Sequence, residues 1–175
     1  MSQPLVLVVL WAFYPLWLVA GWFDYRHHRY CSLARRGGVR EAALHLSMLV
    51  LVTLGLVATL AWLPTYALMV LLLALALAYL AAASSNPRWV DGGARTRRFS
   101  RHVSALFEFL PLFALALFLA EHWPRLDLLA YSDWTLEWRT PALPAGLWAA
   151  VFVPVAAFAI GPGLAELRRA WRARR

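Results

Sequence analysis

The chain has no lysine, and all 17 of its basic residues are arginine. Its only cysteine is Cys31, which excludes an internal disulfide and any thiolate cage for structural zinc. Charge is scarce: 15% of the 175 residues are charged, against about 25% in an ordinary soluble domain. No Gly-rich phosphate loop, GxSxG or HExxH is present, and no segment repeats, so these signatures offer no ready-made nucleotide, acyl-transfer or zinc-protease chemistry. The N-terminal MSQPLVLVVLW lacks a basic leader, so the first apolar run reads as a retained span rather than a cleaved signal.

What is abundant is apolar sequence. Hydrophobic residues make up 62% of the chain, and the mean hydropathy is +0.60. Crossing a bilayer as a helix takes about 20 apolar residues, and five runs reach that length: about 4–23, 41–63, 65–83, 101–122 and 145–167. The expectation is an all-α polytopic membrane helix bundle, one domain over 1–175, with no room for a soluble catalytic domain. Pro111 and Pro154 fall inside spans, where proline is tolerated but bends the helix.

The arginines orient this map. Five fall in the 24–41 loop: Arg26, Arg29, Arg35, Arg36 and Arg40. Five fall in 84–101, at Arg88, Arg95, Arg97, Arg98 and Arg101, and five in the tail, at Arg168, Arg169, Arg172, Arg174 and Arg175. Only Arg125 and Arg139 lie on the other side. The positive-inside bias predicts an N-out, C-in protein of the inner membrane, and five spans require opposite ends. The formal charge of +8 then points to anionic lipid rather than nucleic acid, with Arg26, Arg29, Arg97, Arg98, Arg168 and Arg169 as headgroup contacts. An Ala/Leu/Arg-rich, lysine-free composition fits a GC-rich bacterial genome. The outer loop 123–144 carries Trp123, Tyr131, Trp134 and Trp138, an aromatic edge for the headgroup layer. Its WTLEW alternates with period two, yet Trp134 and Trp138 would also share a helix face. The tail 164–175 has Leu164, Leu167 and Trp171 on one side against arginines, the pattern of a helix lying on the inner surface.

Ionisable residues gather at the cytoplasmic ends of three spans. Asp24, His27 and His28 end the first, Glu41 and His45 open the second, and His102 and Glu108 open the fourth. Asp24–His28 and Glu41–His45 are both i,i+4 pairs, so each pair projects from one helix side. Inward carboxylate–histidine pairs are how helical bundles hold transition metals, and this donor set suits iron, zinc or manganese. The site expected on this reading has Asp24, His28, Glu41 and His45 as primary ligands, completed by His102 and Glu108. Plain alternatives stand beside it. His27 fits an interfacial collar, Glu41 an acid favoured by the helix N-terminus, Glu108 an ion-pair partner of an arginine, and His102 a solvated loop residue. Glu121 and His122 lie at the opposite end and cannot join.

The runs WAFYPLWLVAGWFDYRHHR, GVREAALH and RRFSRHVSALFEFLP resemble a group of small, uncharacterised proteobacterial inner-membrane proteins. That group has Asp-x-x-x-His-Arg at the end of span one and Glu-x-x-x-His at the start of span two. A His-containing segment then leads into Leu-Glu-x-x-Pro in span four. The matching positions are Asp24, His28, Arg29, Glu41, His45, His102, Glu108 and Pro111. The chain departs from the pattern at Ala34, at Ser104 and in AAASSN, where the group carries a glutamate and histidines. The resemblance implies a shared architecture over most of 1–125 more than a shared chemistry; if the group binds two metal ions, this chain binds one or none.

Three functions follow as expectations. The first is a metal site acting on a membrane-soluble substrate. The second is a non-enzymatic accessory subunit or scaffold that contacts anionic lipid, partner membrane subunits or further copies of itself. The third is a haem or quinone carrier using His45 with His28 or His102. A transporter fits less well without an internal repeat.

Overall fold

The computed structural model describes residues 12–30, 38–85, 97–126 and 134–173; side chains within these helices at 24, 27–30, 38, 97–104, 107, 123–126 and 173, among them Asp24, His27, His28, Arg29, Arg97, Arg98, His102, Trp123 and Arg125, are outside that description, as is Tyr131. Among the described residues the chain is all-helical, in the order α1 (Tyr14–Tyr30), α2 (Gly38–Ala61), α3 (Tyr66–Ser84), α4 (Arg97–Leu126), α5 (Ala145–Val155), a π-turn (Ala156–Ile160) and α6 (Gly161–Ala173). Three helices are long and apolar enough to cross a membrane: Val39–Ala61, Tyr66–Ser84 and the continuous Ala145–Arg172 rod. The outer faces of α3 and of α4 are apolar. Leu73, Leu77 and Leu80 on α3, and Leu106, Phe109 and Phe113 on α4, are all exposed. Contiguous exposed stripes of this kind are foreign to a water-facing surface and natural to a lipid-facing one.

Connectivity gives the bundle two ends. The C-terminal ends of α1, α3 and α6 and the N-terminal ends of α2 and α4 share one end, arginine-rich in sequence; the α2–α3 turn and the described residues 134–144 lie at the other, which is tryptophan-rich. α2 packs on α3 and α6, while α1 packs on α4 and the π-turn. The central core joins Trp17 and Ala20 of α1, Leu49 of α2, Leu110 of α4, and Val155 and Ala159 of the last rod.

Local chemistry sets the breaks. Pro64 cannot continue α2, and α3 restarts behind Thr65, whose hydroxyl accepts from the Leu68 N–H at 3.4 Å as an N-cap. Pro162 has no N–H for the Phe158 carbonyl, and its ring crowds that turn. The preceding backbone widens into the π-turn, where the Gly161 N–H donates to the Ala156 carbonyl. Hydroxyls in α2 are satisfied by their own helix: Thr53 donates to the Leu49 carbonyl at 2.8 Å and Thr59 to Leu56 at 3.0 Å.

Two elements run further than the sequence suggests. α1 continues through Tyr30 rather than ending near Phe23. Nothing in 24–30 breaks a helix, and the Arg26 guanidinium lies 5.1 Å from the Trp22 ring one turn back. α4 starts at Arg97, ahead of the span expected from about 101. The open choice at WTLEW resolves as extended chain. Trp62 and Trp138 form a single antiparallel bridge, with the Leu63 N–H donating to the Glu137 carbonyl at 2.8 Å and Arg139 N–H to Ala61 at 2.9 Å. Period two then puts Trp138 over Trp62 and Trp134 over Tyr66, with ring centroids 5.0 and 5.9 Å apart. The Arg139 guanidinium also donates to the Leu60 and Thr59 carbonyls, each at 3.3 Å, closing the C-terminus of α2.

The tail joins the bundle. Gly163, Glu166 and Ala170 form a buried stripe on α6, which docks on α2. A Cβ at Gly163 would sit 3.1 Å from Leu49 Cδ1 and 3.3 Å from Leu46 Cδ1, whereas one at Gly146 meets nothing within 4 Å. Gly163→Leu should therefore destabilise the protein by about 1–3 kcal/mol through overpacking, read as a lower unfolding midpoint in detergent, while Gly146→Leu leaves the midpoint unchanged.

Candidate functional site

A layer of polar side chains lies inside the bundle toward its arginine-rich end. On α2 the buried face runs through Ala42, His45, Met48 and Leu49, so His45 faces inward and is 7% exposed. Glu41, one turn before it, is half-buried. Glu108 of α4 is 8% exposed, two residues before the core residue Leu110 and beside the exposed Phe109. Tyr79 of α3 is buried, and its hydroxyl donates to the Glu108 carbonyl at 2.8 Å. This hydrogen bond ties α3 to α4 at the depth of the layer.

Glu166 of α6, 9% exposed, is the member that sequence reasoning missed. α6 runs toward the arginine-rich end and α2 away from it. With Gly163 against Leu46 and Leu49, one helical turn places Glu166 at the level of Ala42 and His45. A signal was present: Glu166 is a lone acid among arginines, on the face marked by the small residues Gly163 and Ala170. Tyr79 was also legible in principle, as the polar residue inside the apolar run of α3. Neither had a metal-ligand spacing to draw the eye.

Of the six residues expected around a metal, the structure brings His45 and Glu108 into the interior and leaves Glu41 at its edge. His45, Glu108, Glu166 and Glu41 are each engaged by a neighbouring group. Among the described residues no three of histidine, cysteine, aspartate and glutamate gather closely enough to hold a metal ion. Asp24, His28 and His102 complete the expected set, and their side chains are outside the described part. Carboxylate, imidazole and phenol together can ligate a cation or exchange protons in a place closed to bulk water. Of the headgroup arginines, Arg26 and Arg168 are exposed, whereas Arg169 is half-buried. It donates to the Ala165 carbonyl at 3.2 Å, and its guanidinium carbon lies 5.3 Å from the centre of the Tyr25 ring.

Beyond the polar layer, a cavity of about 380 Å³ extends toward the tryptophan-rich end between α1, α2, α3 and α4. Its walls are mostly leucine, alanine and aromatic side chains. Tyr79 stands at its inner end and Glu121 at its outer end. Glu121 and His122 thus sit apart from the polar layer, as their place in the sequence requires. His122 Nδ1 is 2.8 Å from the Phe118 carbonyl.

Replacing Tyr79 by phenylalanine should remove one buried cross-helix hydrogen bond and cost about 1 kcal/mol. A shift of the chemical unfolding midpoint in detergent would register this, with the far-UV spectrum of the native state unchanged. Comparison of the chain with protein-family models, with curated proteins and with solved structures finds no match in any of the three.

Proposed function

We propose that this is a five-span bacterial inner-membrane protein, N-out and C-in, with a carboxylate–imidazole centre at its cytoplasmic face. That centre holds iron, zinc or manganese and acts on a membrane-soluble substrate. Asp24, His28, Glu41 and His45 are its primary ligands, and His102 and Glu108 complete the shell. The observation that carries the reading is the burial of His45 and Glu108, 7% and 8% exposed, on separate helices at the arginine-rich end. Ionisable groups at membrane depth are costly and face a bundle interior with a partner. A bound cation satisfies several carboxylates at once, and the lack of thiolates favours the harder metals. Glu166 adds a carboxylate near the same level.

When bound, such an ion supplies Lewis acidity or redox chemistry. The chain's own part is to hold imidazole and carboxylate in fixed directions and to keep bulk water out. The arginine bias supports the orientation.

A second reading has a specific observation behind it. On α6, Leu164, Arg168, Trp171 and Arg172 all face outward, which suits contact with anionic lipid. In that case the protein is a non-enzymatic scaffold or accessory subunit, and the polar layer only neutralises itself.

Elemental analysis of detergent-purified protein separates the two. The expected result is near-stoichiometric iron, zinc or manganese in the native chain, lost in Glu41→Ala and His45→Ala but retained in Phe113→Ala on the lipid-facing side. Metal-free native protein would leave the scaffold, and a Soret band would replace the proposed centre with haem.

A further inference from the structure

We propose that the cavity between α1 and α4 binds a single-chain amphiphile, its tail along the apolar walls and a hydrogen-bond-donating head, hydroxyl or ammonium, at Glu121. This goes beyond the metal centre and does not rest on it.

The volume comes from small residues. Gly55, Ala76 and Ala114 face the space where neighbouring positions carry leucine, and the nearest atom to a Cβ at Gly55 would be Leu72 Cδ2 at 3.9 Å. At about 380 Å³ the cavity is at the low end of small-molecule sites, which run from about 300 to 1,000 Å³. That suits one chain rather than the two of a phospholipid. Along α4 the lining extends from Leu110 to Glu121. Its length at 1.5 Å per residue is about 16 Å, roughly half the 30 Å hydrocarbon core.

The walls offer water few groups to hold. The polar lining groups of the interior donate to backbone carbonyls: Tyr14 to Val151, Tyr79 to Glu108 and Thr59 to Leu56. A space so lined favours apolar occupants over water. Glu121 differs from these. It is the carboxylate of the lining and is half-buried. A carboxylate presents two acceptor oxygens. It therefore selects a head that donates, and repels an acidic one. Fatty acids and anionic phospholipids carry the wrong head.

The test uses the full-length protein in nanodiscs with photoactivatable analogues of hexadecanol, hexadecylamine and hexadecanoic acid, each with a diazirine near the chain end. Crosslinked peptides are located by mass spectrometry. The alcohol and the amine should label wall peptides of α2, α3 or α4 about ten-fold more than the acid, the lower bound for one charge-assisted hydrogen bond. Glu121→Gln should erase the preference of amine over acid. Ala114→Phe should bring labelling by all three to background while metal content stays unchanged. Gly55→Leu serves as a second filling variant, in case Ala114→Phe does not elute as a monodisperse helical protein. Equal labelling by the acid, or an amine preference that survives Glu121→Gln, would overturn the head-group assignment and indicate adventitious bilayer chains only. Undiminished labelling in a folded filling variant would overturn the cavity itself.

Discussion

An ionisable side chain cannot be left facing hydrocarbon, and in this bundle that constraint decides which surfaces meet. His45, Glu108 and Glu166 come from helices distant in the chain, yet all three are turned inward near the arginine-rich end. The alternative, pointing them at lipid, costs several kcal/mol per group. Packing follows from this. Small residues at Ala42, Gly163 and Ala170 let α2 and α6 approach closely around the polar groups. Tyr79 closes the layer from α3 by donating to the Glu108 carbonyl. Large apolar residues occupy the other faces, where nothing needs enclosing.

The tryptophan-rich end is closed by different means. There the problem is not buried charge but the unsatisfied carbonyls at the end of α2. Arg139 reaches them from a segment about eighty residues away in the chain, and Trp134 and Trp138 lie over aromatic rings of the α2–α3 turn. One of the two arginines outside the basic end is thus a capping group rather than an exception to charge bias. Between the two ends lies the apolar cavity, bounded by Tyr79 on one side and Glu121 on the other.

Much of this was legible in the sequence, and the reasons differ by element. α2 and α3 were readable because long apolar runs meet at Pro64 and Thr65, a breaker followed by a cap. The inward direction of Glu108 was readable from depth alone. The extent of α1 past Phe23 was not, because a charged helical turn looks like a collar when only hydropathy is counted. The α6 tail has a genuine amphipathic face, which pointed to the membrane surface. Its second stripe, Gly163–Glu166–Ala170, gives little hydrophobic signal because small residues score weakly, and it became meaningful only against α2. WTLEW was ambiguous because five residues satisfy both periods; the single bridge to Trp62 decided it. Whether Asp24, His28 and His102 reach the same point as His45 is a matter of side-chain direction, which spacing along a helix constrains only to one side.

The central claim is that polar groups from separate helices share one centre. A double-mutant cycle on His45→Ala and Glu108→Gln, followed by chemical unfolding in detergent, measures that directly. Residues of one network couple by about 0.5–3 kcal/mol, whereas independent sites add. Coupling in that range is the expected result. Strict additivity of the two substitutions would show that His45 and Glu108 are buried separately, and would contradict a shared centre.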